Sequence, residues 1–355
     1  MKGDFPKSIL VVAGERSSDR IAARALGALS SRTAFSAFGL GGDHLEARGV
    51  ELVAHVRDLA AIGVGAVALR LSAWTKAWAA LRAEIEQRRP ALALLVDTPE
   101  VNLPLARILK ARGVKVVQYV GPQVWAWRRR RLTLLRARTD CVALILPFEK
   151  ALYDAAAINA VYVGHPLLDE PPASPRERTR RALTIPEETK LVAFLPGSRR
   201  GEVEAHSQIM LGAARSLVAG GIDCAFAPAM DVVSARTLEA ARSSGCHVPK
   251  APVTARDLLA AADAAIVASG TATLEAALAG TPHAVVYKLG FASSLVARAL
   301  VRVPYAGLPN WIAGRKIVPE LLLGDATSER IAATALHLLR PEVTASMRRD
   351  FEMVR

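Results

Sequence analysis

Short apolar stretches rich in β-branched residues alternate along the chain with longer stretches whose apolar residues recur every three or four positions. The first pattern predicts buried strands, and the second predicts helices that cover them. The predicted strands are residues 8–14, 35–42, 92–97, 115–120, 141–146, 191–195, 222–229, 264–270 and 283–288. Strands that alternate with helices in this way predict parallel sheets in an α/β protein.

A proline-rich, polar stretch over residues 164–175 interrupts this alternation. Such a composition is typical of a linker, and 355 residues are enough for two domains of ordinary size. We therefore predict two Rossmann-like domains, residues 1–170 and 171–355, with a cleft between them. The last helices could pack back on the first domain.

One strand end in the second domain has the residues of an anion-binding turn. Gly270 permits a tight turn and the close approach of a ligand. Ser269, Thr271 and Thr273 are short hydroxyl residues suited to capping a helix start. The N–H groups of that start and the helix dipole favour a phosphate, and Glu275 lies one turn further on, where it can bind a ribose. An ordinary capped turn is the alternative.

A second turn of the same kind follows the strand over residues 191–195. Its Pro-Gly-Ser-Arg sequence ends in Ser198 and Arg199, and a helical pattern begins near Glu202. The planar guanidinium group of Arg199 matches the geometry of a diphosphate. Two such turns predict one nucleotide held by both.

The strand ends of the first domain also carry candidate residues, namely Glu15, Gly41, Asp97 and Gly121. Because ligands of parallel sheets bind at the carboxyl ends of the strands, we expect these residues to line one crevice. The sequence contains neither an Asp-x-Asp triplet nor a histidine cluster, so we expect no metal site. His165 and His206 are isolated, and we interpret both as structural or surface residues.

The net charge of +13 is spread over both halves and favours anionic partners. Nucleotides and phospholipid surfaces fit best, whereas no nucleic-acid motif appears, and we expect no nucleic-acid partner. The three cysteines lack metal spacing and are odd in number, which is typical of a reducing compartment. The chain runs from Met1 directly into a strand, and no apolar run reaches the ~20 residues that span a bilayer. We therefore expect a cytoplasmic protein.

Two stretches are candidates for membrane contact. Residues 65–82 are predicted as a helix on which Trp74, Trp78 and Leu81 continue one apolar stripe. Tryptophan suits the headgroup boundary of a membrane, but the stripe could equally pack on the sheet. Residues 125–131 combine two tryptophans with four consecutive arginines. This basic run could bind RNA or a phosphate-bearing lipid, or could be a solvated helix start.

Short motifs spread over nearly the whole chain resemble those of the lipid-A-disaccharide synthase family. They are Ala13-Gly-Glu-Arg-Ser-Ser-Asp19, Gly39-Leu-Gly-Gly42, Asp97-Thr-Pro-Glu-Val-Asn102, Val120-Gly-Pro-Gln-Val-Trp-Ala-Trp-Arg128, Leu146-Pro-Phe-Glu-Lys150, Val163-Gly-His-Pro166, Leu195-Pro-Gly-Ser-Arg199, Ala268-Ser-Gly-Thr-Ala-Thr-Leu-Glu275 and Leu308-Pro-Asn-Trp-Ile-Ala-Gly-Arg315. Each motif is short, but their common order makes the resemblance specific.

The resemblance implies an inverting glycosyltransferase of GT-B architecture, whose first domain binds the acceptor and whose second binds the UDP-sugar. The implied donor is UDP-2,3-diacylglucosamine, and the implied acceptor is 2,3-diacylglucosamine 1-phosphate. The implied product is the β-1,6-linked disaccharide of lipid A, formed with release of UDP and without a metal or other cofactor. Because both substrates are acylated, we expect a peripheral protein on an anionic surface, the cytoplasmic face of the inner membrane. A homodimer remains open.

The resemblance and the strand-end position make Asp97 the expected catalytic base, with Glu15 as the competing carboxylate. Arg199 and the helix start at Thr271 are expected to stabilise the departing UDP. Asn310 is carried over as a substrate-site residue.

The chain departs from the family pattern Gly-Glu-Ala-Ser-Gly-Asp at Arg16 and Ser18, so this acceptor-side turn is expected to differ in shape or charge. That departure keeps a non-catalytic relative that binds a sugar nucleotide as one alternative. Another UDP-sugar enzyme of the same architecture, such as a UDP-N-acetylglucosamine transferase or epimerase, is the other.

Overall fold

The computed structural model describes residues 8–60, 67–126, 128–228, 232–250, 252–288 and 304–355. The chain divides into two compact units, Met1–Pro166 and Leu167–Arg355. The division falls inside the proline-rich stretch over residues 164–175. Each unit is a parallel sheet with helices, which confirms the predicted α/β class.

The first unit contains a seven-stranded sheet with the order β3-β2-β1-β4-β5-β6-β7, in which all neighbouring strands are parallel. The strands are β1 (Ser8–Ala13), β2 (Ser36–Gly41), β3 (Glu51–His55), β4 (Leu92–Val96), β5 (Lys115–Tyr119), β6 (Cys141–Leu144) and β7 (Ala160–Tyr162). The helices are α1 (Arg16–Ser30), α2 (Asp43–Glu46), α3 (Val56–Ala60), α4 (Val67–Arg88), α5 (Pro99–Ala111), α6 (Arg131–Arg138) and α7 (Glu149–Ala155). A 3-10 turn covers Pro166–Asp169.

The second unit contains a six-stranded parallel sheet with the order β10-β9-β8-β11-β12-β13. Its strands are β8 (Leu191–Leu195), β9 (Asp223–Phe226), β10 (Cys246–His247), β11 (Ala264–Ala268), β12 (His283–Tyr287) and β13 (Glu320–Leu322). Its helices are α8 (Arg176–Leu183), α9 (Arg200–Ala219), α10 (Ala235–Ser243), α11 (Ala255–Ala261), α12 (Thr271–Leu278), α13 (Leu308–Ala313), α14 (Ser328–Leu338) and α15 (Pro341–Glu352). Leu323–Asp325 is a short 3-10 turn.

Each sheet has one position where the strand order reverses direction. In the first unit β1 lies between β2 and β4, and in the second β8 lies between β9 and β11. Loops that leave the carboxyl ends of such a pair run to opposite faces of the sheet and leave a crevice for a ligand. The fold therefore predicts ligand crevices at two places. One is at the carboxyl ends of β1 and β4, called the β1–β4 edge below, and the other is at the carboxyl ends of β8 and β11, called the β8–β11 edge.

Burial explains why the apolar runs form central strands. Every residue of β8 and of β11 is buried, as expected for strands covered by helices on both faces.

Within β2, Gly39 has a φ of +149°, and a Cβ there would lie 1.9 Å from the carbonyl oxygen of Val11. Only glycine allows β1 and β2 to approach so closely at this point.

Helix α4 extends to Arg88, past the predicted end at residue 82; the predicted start at residue 65 lies outside the described residues. Leu81 is buried in the core, and the half-buried Trp74 and Trp78 pack against the same cluster. The apolar stripe therefore packs on the sheet, which was the alternative to membrane contact. Only the part of each indole left accessible could touch a membrane.

Several other elements differ from the prediction. Helix α1 begins at Arg16 rather than near Arg20, because Ser18 closes its first turn. The strands β3, β7, β10 and β13 were not predicted, and each is a short strand at or beside a sheet edge. Among the helices of the described residues, none is long and apolar enough to cross a membrane.

Candidate active site

The β1–β4 edge of the first unit brings the two candidate carboxylates into neighbouring turns. Ala13 at the end of β1 is in register with Val96 at the end of β4. Immediately beyond these residues, a Cβ on Gly14 would lie 3.1 Å from the side chain of Thr98. Glu15 is exposed and Asp97 is half-buried. The structure thus places both residues at the predicted edge.

The backbone at Asp97 is held in a conformation that non-glycine residues rarely adopt. Asp97 and Thr98 have φ values of 51° and 31°, both in the left-handed region. Two buried amides converge on the Asp97 carbonyl oxygen: Asn102 Nδ2 donates at 2.6 Å and Gln118 Nε2 at 2.9 Å. Strained backbone persists only where surrounding structure imposes it, and it concentrates at functional sites.

The same cluster contains buried polar atoms without hydrogen-bond partners in the described part of the chain. They are Thr98 Oγ1, Asn102 Oδ1 and Gln118 Oε1. Their concentration beside the strained turn distinguishes this strand end from an ordinarily packed one. Gln118 was not among the predicted site residues. The sequence does contain a signal for it, because Gln118 is a polar residue inside a predicted strand.

The departures from the family pattern at Arg16 and Ser18 are accommodated locally. Ser18 is fully buried; its Oγ donates to the Glu15 carbonyl oxygen at 2.8 Å and accepts the Glu15 N–H at 2.9 Å. Arg16 is exposed. The buried carboxylate of Asp19 accepts the Gly42 N–H at 2.7 Å and ties α1 to the turn after β2. The turn therefore remains a well-formed helix start.

Another buried carboxyl group, that of Glu149, lies at the start of α7, which follows β6 in the same unit. Glu149 is 1% exposed, and its oxygens accept hydrogen bonds from the Trp125 indole at 3.2 Å and from the Leu146 N–H at 3.3 Å. Burial raises the pKa of Glu149 to about 7. In the sequence analysis, Glu149 appears only within the Leu146–Lys150 motif, with no role predicted for it.

The basic run after Trp125 is partly neutralised. Glu100 pairs with Arg131 and, at 3.4 Å, with Arg128. Arg129 and Arg130 are exposed, and residue 127 lies outside the described residues. This arrangement is the solvated helix start that was one of the three interpretations of the run.

The β8–β11 edge of the second unit brings the two predicted phosphate turns together. Leu195 at the end of β8 is in register with Val267 near the end of β11. Gly270 has a φ of +139° and is exposed, as is Thr271 at the start of α12. Glu275 is half-buried within that helix. The exposed first turn of α12 can therefore offer its N–H groups to an anion.

The neighbouring turn already binds a carboxylate of the chain itself. Glu202 Oε2 accepts the N–H groups of Ser198 at 3.2 Å and Arg199 at 3.3 Å. The Arg199 guanidinium lies 3.3 Å from Glu202 Oε1, yet its side chain is 76% exposed. The turn thus binds an anionic group in the way a phosphate would be bound, and Arg199 can still reach a ligand.

Two predicted ligand-contact residues, Ser269 and Thr273, instead form hydrogen bonds within the protein. Thr273 is fully buried; its hydroxyl donates to the Gly270 carbonyl oxygen at 2.7 Å and accepts the Leu308 N–H at 3.2 Å. Ser269 Oγ donates to the Ala306 carbonyl oxygen at 2.7 Å. Thr273 is therefore not a ligand-contact residue, and the Ser269 hydroxyl proton is already engaged.

The structure also corrects the prediction that Asn310 is a substrate-site residue. Its fully buried amide accepts the N–H groups of Ile317 and Val318 and donates to the Val318 carbonyl oxygen and to Glu320. These bonds use the whole capacity of a side-chain amide. Asn310 therefore shapes the segment beside α12 and cannot contact a substrate directly.

Among the described residues, one group of side chains could hold a metal ion. Ligand atoms of Asp43, Glu46 and His55 all lie within 4.8 Å of one another at the start of α2 and the end of β3. Asp43 and Glu46 are exposed, and His55 Nε2 lies 3.0 Å from Asp43 Oδ1. This contact is explained by an ordinary surface ion pair or hydrogen bond, so the cluster does not define a metal centre.

Comparison with known proteins gives two kinds of likeness. A family model described as lipid-A-disaccharide synthetase matches residues 9–353. The chain is 42% identical over 342 residues to the lipid-A-disaccharide synthase of Syntrophus aciditrophicus, covering 94% of this chain and 88% of that protein. It is 41% identical over 343 residues to the enzyme of the same name from Anaeromyxobacter sp. strain K, with 93% and 88% covered.

Solved structures resemble the fold at much lower identity. UDP-GlcNAc 2-epimerase from Neisseria meningitidis, bound to UDP-GlcNAc, matches with a TM-score of 0.65 and 13% identity over 98% of both chains. The calicheamicin glycosyltransferase CalG4 matches with a TM-score of 0.60 and 14% identity, covering 98% of this chain and 94% of that one. At such identities the likeness shows the fold, which is that of GT-B glycosyltransferases and epimerases.

Proposed function

Because the chain belongs to the lipid-A-disaccharide synthetase family, we propose that it condenses UDP-2,3-diacylglucosamine with 2,3-diacylglucosamine 1-phosphate. The product is the β-1,6-linked disaccharide 1-phosphate, and UDP is released. The observation that carries this proposal is family membership over nearly the entire chain. The epimerase alternative is supported only by fold likeness, and fold alone does not specify a reaction.

The second unit is the proposed donor site. The diphosphate of the donor binds the exposed start of α12 at Gly270 and Thr271, together with the guanidinium of Arg199. Glu275 accepts hydrogen bonds from the ribose. Ser198 contributes its backbone N–H once the carboxylate of Glu202 is displaced, because that carboxylate now accepts the same N–H.

The first unit is the proposed acceptor site, and Asp97 is its base. Asp97 takes the proton from the acceptor 6-hydroxyl while that oxygen attacks the anomeric carbon of the donor from the face opposite UDP. The bond between the anomeric carbon and the diphosphate oxygen breaks, and UDP leaves with the electron pair. The strain at Asp97 supports this role because it gives the carboxylate a defined position. Glu15, in the adjoining turn, orients the acceptor.

The protein is proposed to work on the cytoplasmic face of the inner membrane, where acylated substrates lie. The net charge of +13 supports contact with an anionic surface. The accessible parts of Trp74 and Trp78 are the candidate contacts. Co-sedimentation with anionic vesicles, paired with thermal melting, tests them. If Trp74→Ser/Trp78→Ser lowers the melting temperature but not vesicle binding, these residues serve the core only.

A reconstitution assay tests the reaction. The purified chain is mixed with both acylated substrates in detergent, and UDP release is followed together with the mass of the lipid product. We expect UDP and the disaccharide phosphate in equal amounts, and neither when the acceptor is omitted. UDP-N-acetylglucosamine as donor distinguishes the alternatives, because its epimerisation without disaccharide formation would contradict the proposal.

A further inference from the structure

A buried histidine links two of the strand ends that form the proposed donor site. His206 lies in the second turn of α9 and is 1% exposed. Its Nδ1 lies 2.7 Å from the carbonyl oxygen of Pro196, the residue that opens the phosphate turn. Its Nε2 lies 3.0 Å from the backbone nitrogen of Lys288, just beyond β12.

These two contacts determine the protonation of the ring. A carbonyl oxygen can only accept a hydrogen bond, so Nδ1 of His206 must carry the proton. A backbone N–H can only donate, so Nε2 must be unprotonated. The neutral Nδ1–H tautomer therefore satisfies both partners at once, and burial keeps the ring neutral by lowering its pKa. With both nitrogens engaged, the imidazole cannot contact a ligand.

The strands joined by this ring flank β11, the strand that leads into the Gly270 turn. The chain leaving β8 carries Arg199, and the chain leaving β12 begins at Lys288. His206 thus connects the outer two of three adjacent strand ends. Glu202, one turn earlier on the same helix, holds the N–H groups of the same phosphate turn.

We propose that His206 is a positioning residue for the diphosphate of the donor: it sets the Pro196–Arg199 turn against the strand ends beside it. This inference rests on the proposed function, because it assumes that the turn binds UDP. The sequence alone predicts only a structural or surface position for His206, whereas this inference gives the residue a role in ligand affinity.

The test uses the full chain and three variants that remove the two hydrogen bonds of His206 either together or one at a time. His206→Phe keeps the ring volume and removes both bonds. His206→Asn places an amide near the Nδ1 position and can still donate to Pro196. His206→Gln places its amide near the Nε2 position and can still accept from Lys288. UDP affinity is measured by calorimetry, and KM for the donor, kcat and melting temperature are measured in parallel.

His283→Phe is the matched control. His283 is a second fully buried histidine of the same sheet, with Nδ1 2.9 Å from the Thr281 carbonyl oxygen, but it lies at the amino end of β12, away from the turns. Its substitution should lower the melting temperature and leave the dissociation constant of UDP within about twofold of the wild-type value.

We expect His206→Phe to weaken UDP binding about fivefold to tenfold and to raise KM for the donor more than it lowers kcat. His206→Asn and His206→Gln should each recover part of that affinity, and they decide the question if the phenylalanine variant does not fold. Unchanged UDP affinity in the His206 variants would overturn the inference, as would an equal loss in His283→Phe. A wild-type chain that binds no UDP would instead overturn the proposed donor site, and this role with it.

Discussion

The two candidate edges are built in opposite ways. At the β1–β4 edge, Asp97 and Thr98 adopt left-handed backbone without being glycine, and three buried oxygens in the same cluster have no hydrogen-bond partner among the described residues. At the β8–β11 edge, Gly197 and Gly270 take the positive φ values, and the buried amide of Asn310 is fully bonded. The second arrangement presents backbone N–H groups to an anion at little conformational cost. The β1–β4 edge, by contrast, has strained backbone that lowers stability but fixes the position of the Asp97 carboxylate.

This contrast suggests a division of labour. Binding a diphosphate requires donors in an open, unstrained turn, because charge and hydrogen bonding supply the affinity. A base must lie within hydrogen-bond reach of the proton that it removes, so its position matters more than its exposure. Substitutions at the first edge should therefore change turnover, and substitutions at the second should change nucleotide affinity.

The largest expected effect is that of Asp97→Asn. The amide preserves the shape of the side chain but cannot act as a base, so turnover should fall about 10²–10⁴-fold. UDP affinity, measured by calorimetry, should stay at the wild-type level. Glu100→Gln, an exposed carboxylate two residues beyond Thr98, serves as control and should keep near wild-type turnover. Full activity in Asp97→Asn would move the role to Glu15.

A second test concerns Glu149, the buried carboxyl group that follows β6 in the first unit. Its pKa is about 7 in the folded protein and 4.5 when unperturbed, so between these values the folded state binds a proton that the unfolded state releases. Its contribution to stability is therefore present below pH 4.5 and is lost as the pH rises through 7, by at most about 3 kcal/mol.

Glu149→Gln removes this titration. Its free energy of unfolding, measured by urea denaturation at pH 5 and pH 8, should decrease less with rising pH than that of the wild-type chain. Parallel pH dependences for the two proteins would show that Glu149 is not the cause.

Gln118→Leu tests whether the amides under Asp97 serve catalysis. The substitution removes the donor to the Asp97 carbonyl oxygen together with the unsatisfied Oε1. Because Asn102 Nδ2 still donates to the Asp97 carbonyl oxygen and the unsatisfied Oε1 disappears, stability should change little while kcat falls about tenfold. Asn159→Ala is the control, since Asn159 also donates to a backbone carbonyl, that of Asp140, away from this edge. A large loss of stability with unchanged kcat would make Gln118 a packing residue only.

Arg199→Ala tests the β8–β11 edge. Loss of one charge-assisted contact should weaken UDP binding about tenfold, and melting should hardly change because the side chain is 76% exposed. The adjacent Arg200 is a matched control: it is exposed and pairs with Glu204 at 2.8 Å. Equal UDP affinities in Arg199→Ala and Arg200→Ala would exclude the proposed diphosphate contact.

Local sequence was sufficient for the central strands and for the turns that follow β8 and β11, since these depend on short apolar runs followed by glycine and hydroxyl residues. It missed β3, β7, β10 and β13, because short peripheral strands carry little apolar signal. It also predicts the start of α1 too late, because the hydrogen bonds between Ser18 and the Glu15 backbone that close the first turn are visible only in the structure.

The sequence by itself determined the α/β class and the family, because periodicity and motif order are properties of neighbouring residues. Only the tertiary structure decided which polar side chains at the strand ends are exposed and which are hydrogen-bonded within the protein. Thr273 bonds to Leu308 across 35 positions, and His206 bonds to Lys288 across 82. Whether a hydroxyl, amide or imidazole is free depends on partners that distant, and folding alone brings them together.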